Sequence, residues 1–271
     1  MKLVSICPSN TELLAYLGLD GQLAGVDDFS DWPPAVSELP KLGPDLSINM
    51  EGLEALGPDL VLASLSVPGM ERNVEELVKR GIPHLVTNPQ SLEDIAEDLV
   101  TVGRACGIEQ KAHQIAREYL DFINDLKKRS EAATGRPSLY WEWWPKPVFT
   151  PGSVNWLTEI SRIAGGRNVY EDVELASIQT DWEDVASRDP DRILLAWVGV
   201  HIEKIRPELL MKRPGWPELR AVRDGQVDVM EEWLYCRPSP RLLEGALKLG
   251  NMLHPELYGN LRLPEWVSTA K

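Results

Sequence analysis

An α/β fold in two lobes with parallel sheets is predicted by three features: a repeated structural phrase, short apolar runs alternating with helical patterns, and one long helix near the middle. The phrase occurs twice. Asn49-Met50-Glu51, Pro58-Asp59 and Leu60-Val61-Leu62-Ala63 are matched by Asp181-Trp182-Glu183, Pro190-Asp191 and Ile193-Leu194-Leu195-Ala196. The offset is 132 positions from Asn49 to Asp181, from Glu51 to Glu183 and from Asp59 to Asp191. Each copy reads as a capped short helix, a Pro-Asp turn and a buried strand. Two equivalent halves imply two lobes, and two lobes imply a cleft suited to ligand capture.

The elements follow in order. Residues 2–7 are a buried-strand run, and Ser9-Asn10-Thr11-Glu12 has the form of a capping box ahead of Leu13, Leu14 and Leu17. Leu23–Val26 is a second strand, and Asp27 to Pro34 is a loop carrying Phe29 and Trp32. After the strand Leu60–Ala63 come a helix near Met70–Arg80, a strand at His84–Thr87 and a helix capped by Ser91, with Leu92, Ile95, Leu99 and Val102 on one face. The longest helical stretch runs from Glu109 to about Ala133, striped by Ile115, Tyr119, Phe122 and Leu126. Some 25 residues at ~1.5 Å each make a strut of roughly 37 Å. Because the repeats flank it, the division is an N-terminal lobe at 1–107, the connecting helix at 108–134 and a C-terminal lobe at 135–271. In the second half Ser138–Trp143, Arg192–Trp197 and Gln226–Met230 read as strands. Asn155 caps a helix stopped by Gly165-Gly166, Glu203–Met211 reads as a helix, and Ser239 caps a last helix ending near His254-Pro255. In parallel sheets ligands sit beyond the carboxyl ends of the strands, which points to the loops after residues 7, 26, 63, 143, 197 and 230.

Composition bounds the function. The 271 residues are 43% hydrophobic and 26% charged, as in ordinary globular proteins. A net charge of −14 argues against a nucleic-acid binder and against docking on an anionic membrane, while leaving room for a local basic pocket. Cys7, Cys106 and Cys236 give no disulfide framework or CxxC pattern, and His84, His113, His201 and His254 no metal-binding spacing. No apolar run approaches a membrane span, and no leader or lipid-attachment cysteine is legible at the start. As written the chain is cytoplasmic; one trimmed of its leader would act in the periplasm or at the extracellular surface.

Cys7-Pro8-Ser9-Asn10-Thr11-Glu12, Asp27 to Pro34, Gly57-Pro58-Asp59-Leu60-Val61, Gly165-Gly166-Arg167-Asn168-Val169 and Arg237-Pro238-Ser239-Pro240-Arg241 resemble the cluster-III substrate-binding proteins of ABC importers, across about residues 2–256. That family carries vitamin B12, haem and iron–siderophore complexes. The resemblance implies two Rossmann-like lobes joined by one long helix, a monomer, and no enzymatic activity or intrinsic cofactor. It implies binding of a cobalamin or other corrinoid in an interlobe cleft, with haem or an iron–siderophore as the alternative. It also implies ABC-importer membrane subunits as partners, whose arginines would meet Glu51 and Glu183. Both glutamates fall in the first turn of equivalent helices, where a carboxylate also suits the helix dipole.

Ten tryptophans are many for this length. Trp143 and Trp144 follow one strand, Trp197 another, and Trp233 with Tyr235 a third; flat aromatic walls suit a large planar ligand. Trp156, Trp182, Trp216 and Trp266 read as core. By the resemblance, the tryptophans that B12-binding relatives press on the corrin fall on Asp45, Ser64 and Ser177, and Phe29 keeps an aromatic at a matching first-lobe position. The ligand set is therefore Phe29, Ser64, Trp144, Trp197, Trp233, Tyr235 and Arg237. Arg237 would hold a propionate, amide or phosphate, or else pair with a nearby acid. His201 is a candidate to ligate the ligand's metal as neutral imidazole, and Tyr235 a weaker one for haem iron.

An enzyme is the reading from another class. Cys7 ends the first strand beside a helix N-terminus, which would favour a thiolate; a small buried residue is the alternative. No phosphate-binding glycine loop follows any strand. Asp27, Asp28 and Asp31 lack the rest of a calcium loop and read as solvated turn acids.

Overall fold

Four short apolar runs, Leu3–Ser5 (β1), Leu23–Val26 (β2), Leu60–Ser64 (β3) and His84–Thr87 (β4), pair in parallel in the order β2-β1-β3-β4. Between and after them lie the helices Pro8–Tyr16 (α1), Met50–Leu56 (α2), Glu71–Arg80 (α3), Leu92–Ala105 (α4) and Glu109–Glu131 (α5). Val4, Ile6, Leu53, Val61, Ala63 and Leu77 form the core of this half. The computed structural model describes residues 1–269.

The second half repeats the plan. Ser138–Glu142 (β5), Arg167–Asn168 (β8), Arg192–Leu195 (β10) and Val227–Val229 (β11) make a parallel sheet in the order β11-β10-β5-β8. In both sheets the first strand is central. The second lies on one side of it, and the third and fourth lie on the other. The helices here are Trp156–Ile163 (α6), Trp182–Ser187 (α7), Arg220–Arg223 (α8), Glu232–Tyr235 (α9), Leu242–Leu253 (α10) and Pro255–Tyr258 (α11), with Glu265–Thr269 (α12) near the chain end. Tyr140, Tyr170, Val185, Ile193, Leu195 and Trp216 lie in its core. A small antiparallel sheet of Trp144–Pro145 (β6), Val148–Pro151 (β7) and Ser177–Thr180 (β9) is grafted onto the end of β5. The sequence pattern had not signalled this sheet, because its strands are short and rich in proline.

The chain divides into two compact units. One holds Met1–Asp121, Pro238–Arg241 and the segment from Leu263; the other holds Phe122–Arg237 and Leu242–Arg262. Helix α5 contributes to both.

Local chemistry explains most boundaries. Ser91 accepts from Asp94 N while Asp94 reaches back to the Ser91 amide, a complete capping box for α4. Asn155 Oδ1 accepts from Leu157 N to start α6, and Gly165 takes a φ of +82° after it. Two expectations fail. The box at Ser9-Asn10-Thr11-Glu12 does not form, because Pro8 occupies the first helical turn and moves the cap back to Cys7. Glu203–Met211 is two 3-10 turns, Ile202–Lys204 and Pro207–Lys212, because Pro207 interrupts any α-helix there.

Candidate functional site

In a parallel sheet whose strand order reverses beside a central strand, the loops at that reversal open a crevice at the carboxyl end. In the first unit the reversal lies between β1 and β3. Asn10, one turn into α1, donates to the Ala63 carbonyl at 2.9 Å and accepts from the Thr87 hydroxyl at 2.9 Å, tying the ends of β3 and β4 to the helix. The loop after β2 is held from inside. Asp27, fully buried, accepts from the amides of Phe29 and Ser30 and from the Ser30 hydroxyl, which also meets Thr11 at 2.7 Å. Lys41 Nζ donates to the Ser30 carbonyl at 2.6 Å. Burial raises the Asp27 carboxyl above its usual range, opposed by the hydrogen bond from Ser30. Asp27 is thus an internal brace and not a solvated turn acid, and Asp28 accepts from Gly43 N. Among the described residues no group of three or more His, Cys, Asp or Glu could hold a metal ion. The braced loop leaves Phe29 46% exposed.

In the second unit the reversal lies between β5 and β10, and the loops there are joined: Val198 N donates to the Trp143 carbonyl at 3.1 Å. Glu142 closes β5 with no exposed surface. Its carboxylate takes four donors: Arg213 twice at 2.6 and 2.8 Å, the Tyr140 hydroxyl at 2.9 Å and the Trp197 indole N–H at 3.0 Å. A fully satisfied carboxylate tolerates burial where an unpaired one would not. Burial, and then the Glu142 charge, push the Tyr140 phenol well above its ordinary value. The Arg213 guanidinium lies over the rings of Trp216 (4.2 Å) and Trp182 (5.0 Å). Trp182 in turn donates its N–H to the Pro145 carbonyl, and Trp216 donates to the Trp182 carbonyl. The result is a stiff aromatic block from which Trp197, half-buried, and Trp144 and Val198, 42% and 40% exposed, emerge at the ligand end.

Four expected ligand contacts, Phe29, Trp144, Trp197 and Trp233, keep accessible surface at strand ends. The others do not. Tyr235 is fully buried, its hydroxyl donates to the Gly245 carbonyl, and its ring lies against Trp141. It belongs to the core, is no iron ligand, and burial drives its phenol far up. Ser64 is 3% exposed and closed into a local turn with Ser66. Arg237 is buried on Glu232, with Nε and Nη2 3.1 and 3.0 Å from its carboxylate, so the nearby-acid reading holds. His201 is exposed ahead of the turn at Ile202. Trp182, read as core, is only partly buried and belongs to the aromatic block.

The Cys7 thiol is buried, meets the Ser9 hydroxyl at 3.2 Å and is pushed up to about 11 by desolvation, so it stays protonated at neutral pH. Glu51 and Glu183 are both exposed at the second residue of α2 and α7, each behind a capped first turn. Glu142 and Arg213 were not found from sequence. An acid at the end of an apolar strand was a signal for the first; Arg213, in a loop, offered none.

A family model described as periplasmic binding protein matches residues 3–232. The chain is 29% identical over 262 residues to an uncharacterised ABC transporter substrate-binding lipoprotein of Bacillus subtilis, covering 95% of this chain and 81% of that protein. It is 27% identical over 248 residues to a vitamin B12-binding protein of Yersinia pestis, covering 92% and 84%. A periplasmic heme-binding protein from Pseudomonas aeruginosa shares the fold, with a TM-score of 0.82, 24% identity and coverage of 94% and 93%. The chain belongs to the periplasmic binding protein family.

Proposed function

We propose that this chain is the substrate-binding component of an ABC importer, a monomer working on the outer side of the membrane, and that it captures a corrinoid. The observation that carries this reading is Trp197, locked by Glu142 where the strand order reverses and beside the exposed Trp144 loop. An indole whose N–H is already used offers its ring face, not a hydrogen bond, to a ligand, which favours a large flat partner. Phe29 supplies an aromatic at the equivalent end of the first unit. The similarity to a B12-binding relative agrees with this. Glu51 and Glu183 are the docking residues for the importer's membrane subunits. No enzymatic step is invoked: the residues at the ligand end are aromatic and apolar, and the Cys7 thiol is neutral.

Haem is the second reading, favoured by His201, exposed four positions past Trp197 and able as neutral imidazole to ligate iron. The test is thermal unfolding with cobinamide, cyanocobalamin, haemin and a ferric hydroxamate. A true ligand at a hundredfold excess over Kd stabilises by about 2.7 kcal/mol, a rise in Tm of roughly 5 °C or more. A rise with a corrinoid supports the first reading and a rise with haemin alone the second. A flat response to all four overturns both.

A further inference from the structure

The opposite, amino end of the second unit's sheet carries a feature that the ligand-end loops do not use. Arg136 precedes β5, Arg167 opens β8, Arg162 lies in the last turn of α6, and Arg188 follows α7 just ahead of β10. With Glu171 and Asp172 they line one pocket of about 800 Å³. In a chain of net charge −14, four guanidiniums around one cavity run against the general field of the molecule. Both carboxylates are already occupied. Glu171 accepts from Arg162 Nε at 3.1 Å, and Asp172 accepts from Arg188 Nη1 at 2.8 Å. Arg188 is fixed further by the Val169 carbonyl at 2.6 Å and by stacking 4.0 Å over the Tyr170 ring. Arg136 and Arg167 have no carboxylate partner among the described residues; Arg136 reaches only the Ser130 carbonyl, at 3.4 Å.

We propose that this pocket binds a phosphate group, with Arg136 and Arg167 as its direct ligands and the two ion-paired arginines as a positive surround. Planar guanidiniums match phosphate oxygens in paired hydrogen bonds, and they bind without being titrated. The cavity is far larger than a bare phosphate, so the natural ligand is a phosphate ester carrying an organic group. Its source is either a free metabolite ester or the headgroup of an anionic phospholipid. The site does not depend on what the ligand end binds.

The test is calorimetric titration of the whole chain with inorganic phosphate, with glycerol 3-phosphate and with phosphatidylglycerol vesicles, each against chloride or phosphatidylcholine controls at matched ionic strength. The expected result is saturable binding of at least one probe, tighter for an ester than for inorganic phosphate. In the R136Q/R167Q double variant, binding should weaken by about tenfold or more, the loss of one charge-assisted contact. Tight binding of glycerol 3-phosphate marks a free ester as the source; binding confined to phosphatidylglycerol vesicles marks a lipid headgroup. Unfolding of the variant without ligand, unchanged in Tm, shows that the fold is intact. Absence of saturable binding to all three probes overturns the proposal, as does a folded double variant that binds as tightly as the parent chain.

Discussion

Glu142 has no exposed surface, yet its carboxylate meets Arg213, Tyr140 and Trp197 together. Removing one partner of such a pair leaves a bare buried charge, so Glu142→Ala or Arg213→Ala should cost about 3–5 kcal/mol of stability, read by chemical denaturation. Trp197→Ala removes only the exposed end of the network. It should weaken binding of the ligand found in the thermal screen by tenfold or more while lowering Tm far less than Glu142→Ala. Equal effects on both quantities would show that Trp197 is structural. Asp98 on α4 offers a pH test. Burial, then the charges of Asp94 and Glu97, raise its carboxyl to about 7. Between the ordinary carboxylate range near 4 and this value, the folded chain holds a proton that the unfolded chain has released. Its contribution to stability therefore falls as pH rises from about 4 to 7 and stays low above that. Asp98→Asn should be more stable than the parent chain at pH 8 and should lose that advantage near pH 4, measured by Tm across pH. A constant difference would show that Asp98 does not titrate in this window.

The repeated phrase folds into two copies of one element. Asn49 caps α2 by accepting from Gly52 N, and Asp181 caps α7 by accepting from Glu183 N and Asp184 N. Asp59 and Asp191 each accept from the backbone amide at the start of the central strand, Lys2 N at 2.6 Å and Ser138 N at 2.8 Å. The equivalence extends to the residue before the proline, where the backbone is left-handed in both copies: φ is +58° at Gly57 and +39° at Asp189. Glycine adopts that conformation without strain and aspartate does not. Asp189→Gly should therefore stabilise the chain by about 0.5 kcal/mol or slightly more, since its exposed ion pair with Arg220, at 3.9 Å, contributes little. Asn49→Ala and Asp181→Ala should each cost about 1 kcal/mol, and the two losses should add because the sites share no partner. These elements were legible because caps and Pro-Asp turns are local chemistry. The short antiparallel sheet and the turns after His201 were not, because proline breaks the periodic patterns on which a strand or helix is recognised.

Across the whole chain, the two units share a strand order, a capped helix and an exposed first-turn glutamate. A ligand-capture role and an importer-docking role fall on different residues, so they can be separated. Glu51→Ala with Glu183→Ala should abolish importer-dependent uptake of the bound compound in cells while leaving its affinity for the purified chain unchanged. Loss of affinity together with uptake would place these glutamates in ligand binding instead. Among the described residues no helix is long and apolar enough to cross a membrane.

Read alone, the sequence determined the doubled α/β architecture, the caps and turns of its repeat, and the family, since each depends on neighbours a few positions apart or on spacing repeated along the chain. It also placed the aromatic residues at strand ends. Which of those rings face outward was decided by tertiary packing. Tyr235 turns inward to Gly245 and Trp141, Ser64 closes on its own turn, and Arg237 folds onto Glu232, while Trp197 is held at the ligand end by a carboxylate 55 positions away. Burial and long-range hydrogen bonding depend on which strands lie side by side, and that pairing is a property of the folded sheet.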